Sequence, residues 1–113
     1  MCTKNELQVI TKRIIEEAFN LLADKIYKII LYGSYARGDF TPESDVDVII
    51  LLNCSKDEVR LYRKQVSRLS SRIGLQNDVE ISILLRDRAS YEEGMKVLPF
   101  YRNINQEGII LYE

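Results

Sequence analysis

Five consecutive residues, Val48-Ile49-Ile50-Leu51-Leu52, are apolar at every position. Neighbouring side chains on a strand point to opposite faces, so a run with no polar parity suits a central strand covered on both sides. The residues leading into it break the pattern. Asp45-Val46-Asp47 alternates, so the segment from Asp45 to Leu52 starts half-polar and ends as core.

The flanking sequence reads as elements to cover such a strand. Thr3-Lys4-Asn5-Glu6 has the form of a capping box, and Leu7, Ile10, Ile14, Ala18, Leu21 and Leu22 follow at helical spacing. That predicts a helix from about Lys4 to Ala23. Ile26 to Tyr32 is short, β-branched and aromatic, a strand ended by Gly33. Residues 33–44 hold turn formers, with one helical turn expected over Ser34 to Arg37. Ser55-Lys56-Asp57-Glu58 is a second capping box and opens a helix through Leu61, Val66 and Leu69, stopped at Gly74. Val79 to Leu85 reads as a third strand. Ser90-Tyr91-Glu92-Glu93 is a third capping box, Pro99 starts a short helix to about Glu107, and Ile109 to Tyr112 adds an edge strand. The 113 residues show no repeat or linker and form one domain, residues 1–113, of α/β or α+β class.

Composition narrows the chemistry. The chain has no His, which excludes Ser-His-Asp and Cys-His catalysis and imidazole zinc sites. Cys2 and Cys54 lie far apart and read as free thiols of a reducing compartment. Lys and Arg number 16 against 17 Asp and Glu, a net charge of -1, so nothing draws the whole chain to nucleic acid or an anionic membrane. Arg60, Arg63, Lys64, Arg68 and Arg72 read as the solvated face of one helix. No nucleic-acid partner is expected. No apolar run approaches the roughly 20 residues of a membrane span, and a cytoplasmic location is expected.

The chemistry concentrates in two short segments. Asp45 and Asp47 share a strand face with Cα atoms about 6–7 Å apart. Their repulsion beside an apolar strand calls for a cation or water, and Mg²⁺ takes such oxygen ligands. The plain alternative is a solvated strand end. Gly33 and Ser34 follow a strand directly, where glycine lets backbone approach a phosphate and helical N–H groups attract anions; the alternative is a simple turn. Arg37 reads equally as a phosphate clamp or as a partner of Asp39 or Glu43.

Together the segments read GSYARGDFTPESDVDV, Gly33 to Val48. This resembles the signature of the minimal nucleotidyltransferases of the DNA polymerase β superfamily. The resemblance implies an α+β nucleotidyltransferase fold, a small mixed β-sheet with helices packed mainly on one face. It implies that Gly33, Ser34 and Arg37 bind the nucleotide and that Asp45 and Asp47 hold Mg²⁺, as a pair of ions. A third carboxylate from a later strand would complete the set, with Glu80 favoured and Asp78 the alternative, both expected on one strand face. Glu80 departs from the Asp of the family pattern. The implied reaction transfers a nucleoside monophosphate, AMP from ATP, to an acceptor hydroxyl. Small members of this family accompany a helical HEPN-type protein in toxin–antitoxin pairs, and some adenylylate a tyrosine of that partner. The competing expectation is a binding module that has lost catalysis and neutralises its partner by contact. An oligomer is compatible with the sequence. Tyr91, Phe100, Tyr101, Ile104 and Tyr112 read as core.

Overall fold

The computed structural model describes residues 4–113. Thr3 of the first capping box and Cys2 lie outside the described residues. The elements are α1 (Lys4–Leu22), a 3₁₀ turn (Ala23–Lys25), β1 (Ile26–Tyr32), α2 (Ser34–Arg37), β2 (Val46–Leu52), α3 (Lys56–Asn77), β3 (Ile81–Asp87), α4 (Arg88–Gly94), α5 (Pro99–Glu107) and β4 (Ile109–Tyr112). The strands form one mixed sheet in the order β3-β2-β1-β4. β1 pairs antiparallel with β2 and β4, whereas β2 and β3 run parallel through the crossover helix α3. β4 is an edge strand, as its sequence suggests.

β2 is central and covered on both faces, as its unbroken apolar run requires. Val46, Val48, Ile50 and Leu52 join Ile10, Ile14 and Ala18 of α1 and Val59, Val66, Leu69 and Ile73 of α3 in the larger core. Ile49 and Leu51 face the other way and meet Ile30, Tyr91 and Ile104. The two long helices thus cover one face of the sheet, and the short helices α4 and α5 cover part of the other. Truncating Ile49 to Ala would cost about 2–5 kcal/mol, a large share of the stability of a domain this size. Among the large residues near the C-terminus expected in the core, Tyr91 and Ile104 are buried, Tyr101 is half-buried, and Phe100 and Tyr112 are exposed.

Ser55 caps α3 as its capping box suggests, accepting the Glu58 N–H at 3.2 Å. Gly74, however, does not stop α3. The helix continues to Asn77, and Gly74 is there because a Cβ would lie 2.6 Å from the Val79 carbonyl oxygen. Asp78 ends the helix at φ +52°, its N–H bonded to the Gly74 carbonyl. Asp tolerates this left-handed conformation better than most residues. Asp78 is therefore a helix cap rather than a strand residue, and β3 starts only at Ile81. The expectation that Asp78 and Glu80 share strand parity fails for that reason. No helix among the described residues is long and apolar enough to cross a membrane.

The third capping box also shifts. β3 runs straight into α4, leaving no loop before Ser90, and Asp87 becomes the cap by accepting the Ser90 N–H at 2.9 Å. Burial pushes the Asp87 carboxyl up, but the Ser90 hydrogen bonds and the Lys56 charge outweigh it and hold the group below the usual aspartate range. A depressed carboxylate contributes stability above its unfolded pKa and loses it as pH falls through the folded one. Asp87→Ala should therefore cost about 1 kcal/mol at pH 7. In thermal melts that deficit should shrink steadily below about pH 4; a pH-independent deficit would contradict the cap.

Candidate active site

β1 ends at Tyr32, which stands opposite Asp47 in the antiparallel register. The next residue, Gly33, turns the chain at φ +76°, a region side-chain-bearing L-residues avoid. Its carbonyl accepts the N–H groups of Ala36 and Arg37, each at 3.1 Å, which forms the single turn of α2. Gly38 closes that turn at φ +86°. Space is the second reason for glycine at position 33. A Cβ built there would lie 2.5 Å from Oδ2 of Asp47. The Gly33 backbone and the Asp47 carboxylate are thus immediate neighbours, although fourteen positions apart in the chain.

Asp45 immediately precedes β2. The Val46 N–H donates to the Glu80 carbonyl at 2.9 Å, and the parallel register pairs Val46 with Ile81 and Asp47 with Ser82. Alternation then places positions 45, 47, 80 and 82 on one face of the sheet. A cavity of about 280 Å³ lies beside them, lined in part by Glu43, Asp45, Asp78 and Glu80. Glu80 is exposed and just outside the strand. Among the described residues no three acidic side chains converge closely enough to form a metal-binding group. The compact acidic unit is the Asp45/Asp47 pair.

The electrostatics of that pair are unbalanced. Burial first, then repulsion from Asp45, raises the Asp47 pKa above the usual aspartate range, and Arg37 only partly offsets this. The Arg37 guanidinium is engaged elsewhere, 3.2 Å from Asp39 and 3.7 Å from Glu107. Asp39 was one of the partners its sequence offered; Glu107 takes the place of Glu43. Among the described residues neither Asp45 nor Asp47 has an ion-pair partner. The donor set fits a hard divalent cation: oxygen only, doubly anionic and uncompensated, at an accessible strand end.

Tyr32 and three residues around it escape a reading by local motif. The Tyr32 hydroxyl is pushed up to about 12 by burial and then by Asp47, against an opposing pull from Arg86. Arg86 Nε donates to the Tyr101 hydroxyl at 3.1 Å. Phe100 meets the Tyr32 ring edge-on at 5.8 Å. These groups come from β1, β3 and α5. Only the sheet register and the seating of α5 bring them together, and the one local signal is that Tyr32 directly precedes Gly33.

Comparison with known proteins gives the family and the fold. Residues 11–111 match the model of the nucleotidyltransferase domain family. A candidate protein adenylyltransferase of Methanocaldococcus jannaschii is 41% identical over 81 residues, covering 71% of this chain and 79% of the relative. The crystal structure of a candidate nucleotidyltransferase from Sulfolobus solfataricus superposes with a TM-score of 0.65 at 18% identity, over 99% of this chain and 90% of that one. A chain of a toxin–antitoxin structure determined with AMP-PNP superposes with a TM-score of 0.58 at 19% identity, over 90% of this chain and 72% of that one. At such identities the superpositions speak for the fold, whereas the family match and the archaeal relative go further: this chain belongs to the nucleotidyltransferase domain family.

Proposed function

We propose that this chain is a Mg²⁺-dependent nucleotidyltransferase that transfers AMP from ATP to an acceptor hydroxyl, with a tyrosine of a helical HEPN-type partner as the acceptor. The observation that carries the reading is the contact between the Gly33 backbone and the Asp47 carboxylate. A triphosphate lying over Gly33 and Ser34 would have its charge beside Asp45 and Asp47, an arrangement that is repulsive unless cations lie between. Held there, two magnesium ions would supply that neutralisation and the charge stabilisation that an in-line displacement at the α-phosphorus needs. Asp45 and Asp47 would hold them, with Glu80 reaching in from the neighbouring strand end.

In this reading the protein's own work is positioning. Gly33 removes the side chain that would otherwise fill the space between backbone and carboxylate. Ser34 offers its N–H and hydroxyl to phosphate oxygens. Arg37, at the rim, exchanges Asp39 and Glu107 for a phosphate. The AMP assignment draws on the relative named as an adenylyltransferase and on the neighbour determined with AMP-PNP. The toxin–antitoxin role draws on that same neighbour, whose structure is that of a toxin–antitoxin pair.

Incubation with α-labelled ATP, Mg²⁺ and the product of the adjacent gene tests the reading. Label should pass to the partner, and Asp47→Asn should reduce transfer by at least about a hundredfold. Equal transfer by wild type and variant would sink the proposed site. If instead wild type transfers no label and Asp45→Asn still neutralises the partner, the chain acts by contact alone.

A second test needs no acceptor. The folded state holds a proton on Asp47 more tightly than the unfolded state, so its contribution to stability declines as pH rises from the unfolded pKa through the raised folded one. Asp47→Asn should therefore stabilise the metal-free chain at pH 7. The gain should be on the order of 0.5 kcal/mol, discounted because solvent still reaches the carboxylate, and should vanish below about pH 3. Added Mg²⁺ should raise the wild-type melting temperature more than that of the variant. Equal Mg²⁺ responses would remove Asp47 from the cation site.

A further inference from the structure

β3 is the outermost strand on its side of the sheet, and its free edge is protected only near its C-terminal end, by Arg86. Natural edge strands are kept short, bulged, or guarded by Pro or Lys. β3 has seven residues, ISILLRD, with neither, and its register with β2 is continuous. The opposite edge differs: β4 has four residues and its pairing with β1 slips. Because the Glu80 carbonyl points toward β2, alternation turns the N–H and C=O groups of Ile81, Ile83 and Leu85 outward. Of these, the Leu85 carbonyl is bridged by Arg86 Nη1 at 2.8 Å, a side-chain substitute for a ladder bond. Beside the edge runs a groove of about 1080 Å³ between β3 and α3. Its helix wall carries the small residues Ser67, Ser70, Ser71 and Gly74 together with Arg63, Val66 and the exposed Leu75.

We propose that the β3 edge is a self-association surface, on which β3 of a second copy pairs antiparallel about a two-fold axis at Ile83 and joins the two sheets into one. The argument is the complementarity of the strand with its own reverse. With Ile83 opposite Ile83, Ile81 meets Leu85 of the second copy, and those residues are the ones whose backbone groups point outward. Each of the three pairs can exchange two hydrogen bonds once Arg86 Nη1 releases the Leu85 carbonyl and turns to Glu80 of the second copy. The same register sets Glu80 opposite Arg86 of the second copy, twice by symmetry, and opposite charges so placed stabilise a pairing. One step beyond, Asp78 falls opposite Arg88. A register centred on Leu84 would oppose Ser82 to Arg86 and Ile81 to Asp87, losing the charge match and setting apolar against acidic. The isologous contact uses one patch twice, as two-fold dimers do. It also brings the two α3 helices alongside each other, where the small side chains of the groove permit close approach. The pairing does not require nucleotide transfer, although it engages Glu80, which the proposed function sets beside the acidic pair.

Charge exchange followed by analytical ultracentrifugation tests the pairing. Wild type should sediment as a dimer at about 100 μM. Glu80→Arg sets Arg against Arg, and Arg86→Glu sets Glu against Glu, so each variant alone should dissociate at least about tenfold more readily. An equimolar mixture of the two restores both opposite-charge contacts and should recover a heterodimer. Ile83→Pro, whose missing N–H points away from β2, should block the seam while leaving the sheet intact. Far-UV circular dichroism should match wild type in every variant sample. A monomeric wild type, a dimer indifferent to all three substitutions, or a mixture no more associated than its components would overturn the proposal.

Discussion

The antiparallel register of β1 against β2 is the constraint from which the rest follows. Ile30 stands opposite Ile49, Leu31 opposite Val48, and Tyr32 opposite Asp47. Once the apolar residues of both strands are buried, that pairing is fixed, because a slip by one residue would send each side chain to the wrong face. The residue after Tyr32 then lies against the carboxylate of Asp47. Only a residue without a side chain fits there, and only glycine takes the observed φ without strain. The burial that stabilises the sheet thus also sets the distance between a backbone able to approach phosphate and the acidic pair.

This arrangement costs stability where it offers chemistry. Asp45 and Asp47 sit side by side, both half-buried, and Arg37, the cation that acts on Asp47, is paired with Asp39 and Glu107. A solvated strand end built only for stability would have a Lys or a neutral residue at one of these positions. Asp87 in the same sheet shows the contrast, since it is more deeply buried but held by hydrogen bonds that favour its ionised form. Two buried or half-buried carboxylates, shifted in opposite directions, separate a structural acid from one whose charge is left for something else to neutralise.

Much of this was legible in the sequence, for reasons that differ by element. Ile26–Tyr32 and Pro99–Glu107 match their expected spans because each carries its own punctuation, a glycine after the strand and a proline at the first helical position. β2 was legible from its unbroken apolar run. The errors fall where a local signal had a non-local competitor. Gly74 looks like a helix stop, yet it serves the close passage of the Val79 carbonyl. Ser90 has the right spacing for a cap, but Asp87 stands three residues earlier at the end of a strand and takes the bond. Asp78 reads as strand only if α3 ends early. At the site, Gly33, Ser34, Asp45 and Asp47 are one contiguous pattern. Tyr32, Arg86 and Tyr101 are gathered by register and helix seating, which no window of the sequence contains.

The alternate positions of β2 show how one sheet face serves two purposes. Going up the chain on the face shared with α4 and α5, the residues are Asp45, Asp47, Ile49 and Leu51. The last two are buried under Tyr91 and Ile104, while the first two emerge beyond the cover of those short helices. The strand therefore passes from acid to hydrocarbon within two residues, and Tyr32 sits at the junction with its ring against Phe100 and its hydroxyl raised by Asp47. The short length of α4 and α5 is what leaves this end open. Helices as long as α1 and α3 on this face would extend the core and bury the carboxylates, at a desolvation cost their mutual repulsion would aggravate. The partial cover on one face and the full cover on the other are thus consequences of the same placement of charge along a single strand.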